Sequence, residues 1–204
     1  MSVLLALKEN VADLDPVITK LVAGTGAARD AFNRHSRSSM EEMRNLARTA
    51  AQEIEVALTK LEGAKTRTAA AEQPVFLGLS GIYAHLRIIS QKLGALADPI
   101  QKKIKDGVLF SDKAVSQTNY LFDMQAGLLR SMLDIVKTNN EFLKRYTETE
   151  ARNLIQACSN FATEHETRLI EGLCQPQAAP LFLAILDSMR TMGQQEMEIV
   201  QLLA

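Results

Sequence analysis

Pro74-Val75-Phe76-Leu77 opens one apolar helical stretch, and Pro180-Leu181-Phe182-Leu183 opens another far downstream. Each phrase begins the third of three helical segments, so residues 17–104 and 114–203 read as the same unit written twice. Self-similarity of this kind decides architecture before any single residue does. After the first phrase, Leu79, Ile82, Leu86, Ile89 and Leu93 step by threes and fours, one stripe of a helix over about 74–96. Upstream, Met40, Met43, Ala47, Ala50, Ile54, Ala57 and Leu61 form the cleanest stripe in the chain. Ser38 or Ser39 can cap that helix, Glu41 and Glu42 oppose its dipole, and Gly63 ends it. Before it, Asp15-Pro16 reads as an N-cap followed by proline at the first helical position. The helix that follows holds Val17, Ile18, Leu21, Val22, Ala28 and Phe32, weakened by Gly24 and Gly26. A short amphipathic stretch over residues 3–14 precedes it.

Beyond the first phrase, Asp98-Pro99 marks a kink or restart and Gly107 a stop. The second unit restarts at Ser111-Asp112. Its first helix shows Phe122, Leu129, Met132, Leu133, Val136 and Leu143 and is predicted to reach about Tyr146. Its second shows Ala151, Leu154, Cys158, Phe161, His165 and Leu169 and ends near Gly172; its third shows Phe182, Ile185, Met189, Met192, Ile199 and Leu203. No segment alternates with period two for long. The expectation is an all-α protein: six main helices, two tandem three-helix repeats forming antiparallel bundles. Residues 1–107 take in an N-terminal extension and the first repeat, and residues 108–204 the second.

Composition agrees. Of 204 residues, 47% are hydrophobic and 23% charged, and aromatics are only 5% with no tryptophan. That mixture suits a helical core better than a β-rich one. A net charge of −1 argues against a general grip on nucleic acid. No apolar run approaches the ~18 residues of a membrane span, and the N-terminus is a poor signal peptide. Cys158 and Cys174, without CxxC spacing, read as idle thiols in a reducing cytoplasm.

Few residues invite chemistry. Glu164-His165-Glu166 suggests a metal, but neighbours on a helix point about 100° apart, so three in a row cannot converge. His165 lies on its helix's apolar stripe, which favours a packed histidine; a ligand role needs a carboxylate from another helix. His85 and Arg87 are candidates for contact with an anion or a partner. Glu9 and Asp13 are two carboxylates at i and i+4, a spacing that can hold a metal. Lys102-Lys103-Ile104-Lys105 reads as a solvated helix end. No phosphate loop, GxSxG, HExxH or paired CxxC occurs.

The duplicated three-helix unit and its third-helix phrases resemble the PhoU family and the PhoU-like domains of sodium/phosphate cotransporters. That helix in the family carries a phrase near L-E-R-I-G-D-H-A. The second unit offers Met189-Arg190-Thr191-Met192-Gly193-Gln194-Gln195-Glu196, agreeing at the apolar positions and Gly193. The first offers His85-Leu86-Arg87-Ile88-Ile89-Ser90, agreeing at Arg87 and Ile88. The resemblance implies one PhoU-like domain and, in the family, metal clusters held by an E/DxxxD motif. Its positions here read Leu86 and Ser90, and Arg190 and Gln194, so the metal site is not carried over and no cofactor is expected. What the resemblance still implies is a cytoplasmic, non-enzymatic adaptor that modulates phosphate transport or signalling. Its expected partner is a phosphate transporter or sensor kinase, met through helix faces, peripheral to the membrane, with a homodimer left open. Two alternatives stand beside it: a metal-binding bundle using His165 and neighbouring carboxylates, and a helical partner protein unrelated to phosphate.

Overall fold

The structure is a computed structural model that describes residues 11–65 and 73–203. Among them are six long helices and a short one: α1 Val11–Arg34, α2 Arg37–Lys65, α3 Gln73–Ala95, the short α4 Ala97–Lys105, α5 Asp112–Thr138, α6 Glu141–Ile170 and α7 Ala179–Leu202. A 3-10 turn, Pro176–Ala178, leads into α7.

The stripes behave as their periodicity requires. Met40, Met43, Ala47, Ala50, Ile54 and Ala57 of α2 are buried, as are Leu79, Ile82, Leu86, Ile89 and Leu93 of α3. The two opening phrases are also alike in space: Val75 and Leu181 are buried, Leu77 and Leu183 exposed. They differ at the aromatic, with Phe182 fully buried and Phe76 half-buried.

Helix ends depart from expectation in four places. Asp15 does not cap α1, because the helix runs from Val11 through Pro16. The apolar stripe continues across the proline, with Leu14 and Val17 both buried. Their burial, ~1.5–3 kcal/mol for a large aliphatic side chain, offsets the lost backbone bond. Gly24 leaves α1 unbroken and admits α3 instead: a Cβ there would stand 2.8 Å from Leu93 Cδ2. The cap of α2 is Ser36, whose Oγ accepts from the Ser39 N–H at 3.1 Å, rather than Ser38 or Ser39. Gly63 lies inside α2. Finally, α5 stops at Thr138, short of Tyr146. Asn139 takes a left-handed φ of 53°, and Asn140 caps α6 by accepting from the Leu143 N–H at 3.1 Å. Asparagine tolerates that conformation and competes well for N-caps, so two together end one helix and begin the next.

The lysine run is also not uniformly solvated. Lys103 is buried; its Nζ donates to the Phe32 carbonyl at 3.0 Å, contacts His35 Nε2 and lies 4.8 Å from the Phe32 ring centroid. It therefore closes the C-terminus of α1, where a cation is favoured. Burial pulls its pKa down from the ordinary lysine value.

Each repeat packs as a three-helix unit, α2 against α1 and α3, α6 against α5 and α7. The units then meet like on like, α1 against α5 and α3 against α7. Asp15–Lys137 (2.9 Å), Arg29–Asp123 (2.6 Å) and Asn33–Asn119 (2.7 Å) climb α1 while descending α5, which makes the pair antiparallel. A single hydrophobic cluster draws side chains from every helix of both units. Phe110, on the connection between them, sets its ring edge-on to Phe32 (5.3 Å) and to Phe182 (6.1 Å). No helix among the described residues is long and apolar enough to cross a membrane.

Candidate functional site

The α3–α7 seam brings the two third helices together, with Leu86, Ser90, Arg190 and Gln194, the positions compared above with the PhoU phrase. Leu86 is core, and Ser90 is buried with its hydroxyl donating to the Arg87 carbonyl at 2.9 Å. Arg190 donates to Asp187 at 2.9 Å on its own helix, while Gln194 is exposed. These four positions supply no carboxylate. Among the described residues no group of three or more His, Cys, Asp or Glu is placed to hold a metal ion.

What the seam does contain is a set of polar ties. His85 Nδ1 lies 2.8 Å from Gln195 Oε1, one residue from each repeat. Lys92 donates to Asp187 at 3.2 Å, again across the repeats. The Arg190 and Lys92 hydrogen bonds hold the Asp187 carboxyl below its ordinary value despite some desolvation. His85 is thus engaged in joining the halves. Arg87 points elsewhere and pairs with Glu55 of α2 at 3.0 Å, so its charge already meets an acidic group.

Glu164 and His165 diverge, as successive helical residues must. His165 is 2% exposed, with its ring 4.8 Å from that of Phe182 and its Nδ1 3.8 Å from Cys174 Sγ. Burial, aided by the Arg168 charge, lowers its pKa and keeps the imidazole neutral. Glu164 faces the other way: Gln117 Nε2 donates to it at 2.8 Å, and Arg168 and Lys113 lie 3.6 and 3.9 Å off. The other ring nitrogen, His165 Nε2, is buried without a hydrogen-bond partner among the described residues, so no carboxylate bonds to it there. Of the Glu9 and Asp13 pair, Glu9 lies outside the described residues, and Asp13 stands 3.8 Å from Lys60 of α2.

The sequence reading missed the outer face of the α5–α6 pair. Phe142 and Tyr146 are 75% and 49% exposed and stack with centroids 6.5 Å apart. Tyr120, 48% exposed, sets its ring against Phe161 at 6.0 Å. Placing residues 141–146 at the end of the preceding helix hid this, because Phe142 and Tyr146 then fell on the wrong element. Their spacing of four was the available signal.

Comparison with solved structures finds this architecture in another protein. The chain is similar to the crystal structure of PhoU from Pseudomonas aeruginosa, with a TM-score of 0.80 over 97% of this chain and 95% of that one, at 14% sequence identity. The all-α, PhoU-like fold expected from the repeat is therefore shown. No protein-family model matches the sequence, and no curated protein does.

Proposed function

We propose that this chain is a non-enzymatic PhoU-like adaptor that modulates phosphate transport or its signalling through contacts of helix faces. The observation that supports the reading best is the extent of the likeness, which covers both repeats and nearly all of both chains. Shared fold alone does not fix function, so the site must argue as well. The positions of the family's acidic motif hold Leu86, Ser90, Arg190 and Gln194, residues that suit packing and surface contact rather than a metal cluster. On this reading the scaffold works at the cytoplasmic face against a transporter or sensor kinase, without spanning the membrane.

The test is genetic and biochemical together. Deleting the gene should change a phosphate-responsive reporter, and the purified chain should bind the transporter's cytoplasmic subunit or the sensor kinase. No reporter change and no binding at high or low phosphate would leave a helical partner protein unrelated to phosphate. Metal analysis of the purified chain adds a second discriminator: stoichiometric iron or zinc would replace the adaptor reading with a metal-binding bundle centred on His165.

A further inference from the structure

We propose that the groove between α5 and α6 docks a partner helix that carries lysine or arginine beside an apolar face. The partner's biological role rests on the adaptor reading; the groove's chemistry does not.

Two hollows of about 370 and 300 Å³ run along this helix pair and share Tyr120. Phe161 borders the first and Tyr146 the second, and Phe142 stacks on Tyr146. The four aromatic rings thus form one line along the surface rather than scattered exposures, the pattern of a contact site. Aromatic side chains bring large contact area at small entropic cost, and tyrosine is enriched at interfaces for that reason. A trough between two packed antiparallel helices accepts the ridge of a third.

Charge selects the occupant. Asp123, Glu150 and Glu164 line the hollows, and neither lysine nor arginine does; Glu164 already meets Gln117, Arg168 and Lys113, so Glu150 and Asp123 carry the selection. Glu150 follows Tyr146 by one helical turn, and Asp123 follows Tyr120 by nearly one. Each wall therefore offers a carboxylate beside an aromatic ring, a combination suited to a cationic side chain. Glu150 accepts from the neutral Asn153 amide at 3.0 Å. Asp123 pairs with Arg29 at 2.6 Å, but its own side chain is 62% exposed and such surface pairs contribute little, so an incoming cation can share the carboxylate. An acidic partner would meet like charge here. A second copy docked groove to groove would meet it as well, because a twofold contact sets the same patch against itself. The acidic lining equally disfavours nucleic acid.

The chain supplies its own probe. It has three tyrosines and no tryptophan. Tyr83 is buried, so Tyr120 and Tyr146 are the tyrosines that a surface ligand reaches. The full-length protein is titrated with a helical peptide of leucine and lysine at helical spacing, free of aromatics, and with its counterpart bearing glutamate at every lysine. Tyrosine fluorescence and calorimetry provide the readouts. The lysine peptide should bind at least about tenfold tighter than the glutamate one, and both E150K and Y146A should lower its affinity by about tenfold. E198K, an exposed reversal on α7, should leave it unchanged. Circular dichroism confirms that these surface variants fold. Equal binding of both peptides, no binding of either, or indifference to E150K and Y146A overturns the proposal. Equal binding of both peptides by a protein that keeps its phosphate response sinks the groove alone. A wild-type groove that binds the peptide in a protein without a phosphate phenotype sinks the adaptor role alone.

Discussion

Glu196 shows what one residue can impose on this core. It is fully buried on α7, where Gln125 Nε2 of α5 donates to its Oε1 at 2.5 Å. The other oxygens of the pair, Glu196 Oε2 and Gln125 Oε1, are buried without a hydrogen-bond partner among the described residues. Two acceptors cannot satisfy one another; a proton kept on the carboxyl supplies the missing donor. Burial pushes the Glu196 pKa well above the ordinary carboxylate value, and the Gln125 bond only partly opposes it. A raised folded-state pKa contributes stability that is fully present below the unfolded value of 4.5 and is lost as pH rises through the folded value. The neutral variant E196Q should remove that loss. Denaturant unfolding of both proteins at pH 5 and pH 8 should show E196Q gaining on the wild type as pH rises. His35 and His165, whose pKa values are lowered, bend both curves alike in the acid half of that window, so the difference isolates Glu196. A parallel pair of pH profiles would show that Glu196 is ionised in the folded protein. The sequence is only half legible at this scale: Glu196 lies four residues after Met192 and three before Ile199, on the buried stripe, but nothing in the spacing names Gln125 as the side chain it meets.

At the scale of the element, the stripes were readable and the ends were not. A helix's apolar face is set by a period of 3.6, which survives in the sequence as steps of three and four. Its ends depend on one or two residues competing with each other. Asp15-Pro16 has the pattern of a helix start, but buried neighbours on both sides carry α1 through it. Asn139-Asn140 holds both the stop and the next cap, yet the apolar steps run on past it to Leu143 and conceal the break. Glycines divide in the same way according to their surroundings. Gly26 is exposed, and a Cβ there would meet nothing within 4 Å, whereas at Gly193 it would stand 2.5 Å from Leu154 Cδ2. G26A should therefore stabilise the protein by ~0.5–1 kcal/mol through helix propensity. G193A should destabilise it by ~1–3 kcal/mol by forcing α6 and α7 apart. Thermal unfolding checks both: a G193A protein as stable as the wild type would mean that α6 and α7 have room for a Cβ, and a destabilised G26A protein would mean that Gly26 does more than weaken the helix.

For the whole molecule, the question is whether two repeats make two folding units. The like-on-like contacts, the cross-repeat ties at His85–Gln195 and Lys92–Asp187, and one hydrophobic cluster all argue for a single unit. Surface pairs contribute little individually, ~0–1 kcal/mol, so the shared core must supply the coupling. Phe182 lies at that junction, its ring edge-on to Phe110 of the connection. F182A should cost ~3–5 kcal/mol. Hydrogen exchange should register the loss in α2 as well as in α6, with one cooperative transition by circular dichroism. Protection lost only in α5–α7 would show that the repeats unfold separately.

The sequence by itself determined the helices, their buried faces, their order and their duplication, because periodicity is a local property that each segment carries alone. Which residue types stand at the positions compared with the PhoU phrase, Leu86, Ser90, Arg190 and Gln194, is likewise a matter of identity alone. Only the tertiary structure decided that His85 is taken by Gln195, that Glu164 and His165 part company, that Lys103 closes α1, and that four aromatic rings line one groove. Each of these depends on which distant segments meet, and the apolar stripes that drive helices together say nothing about which polar side chains will then stand opposite one another.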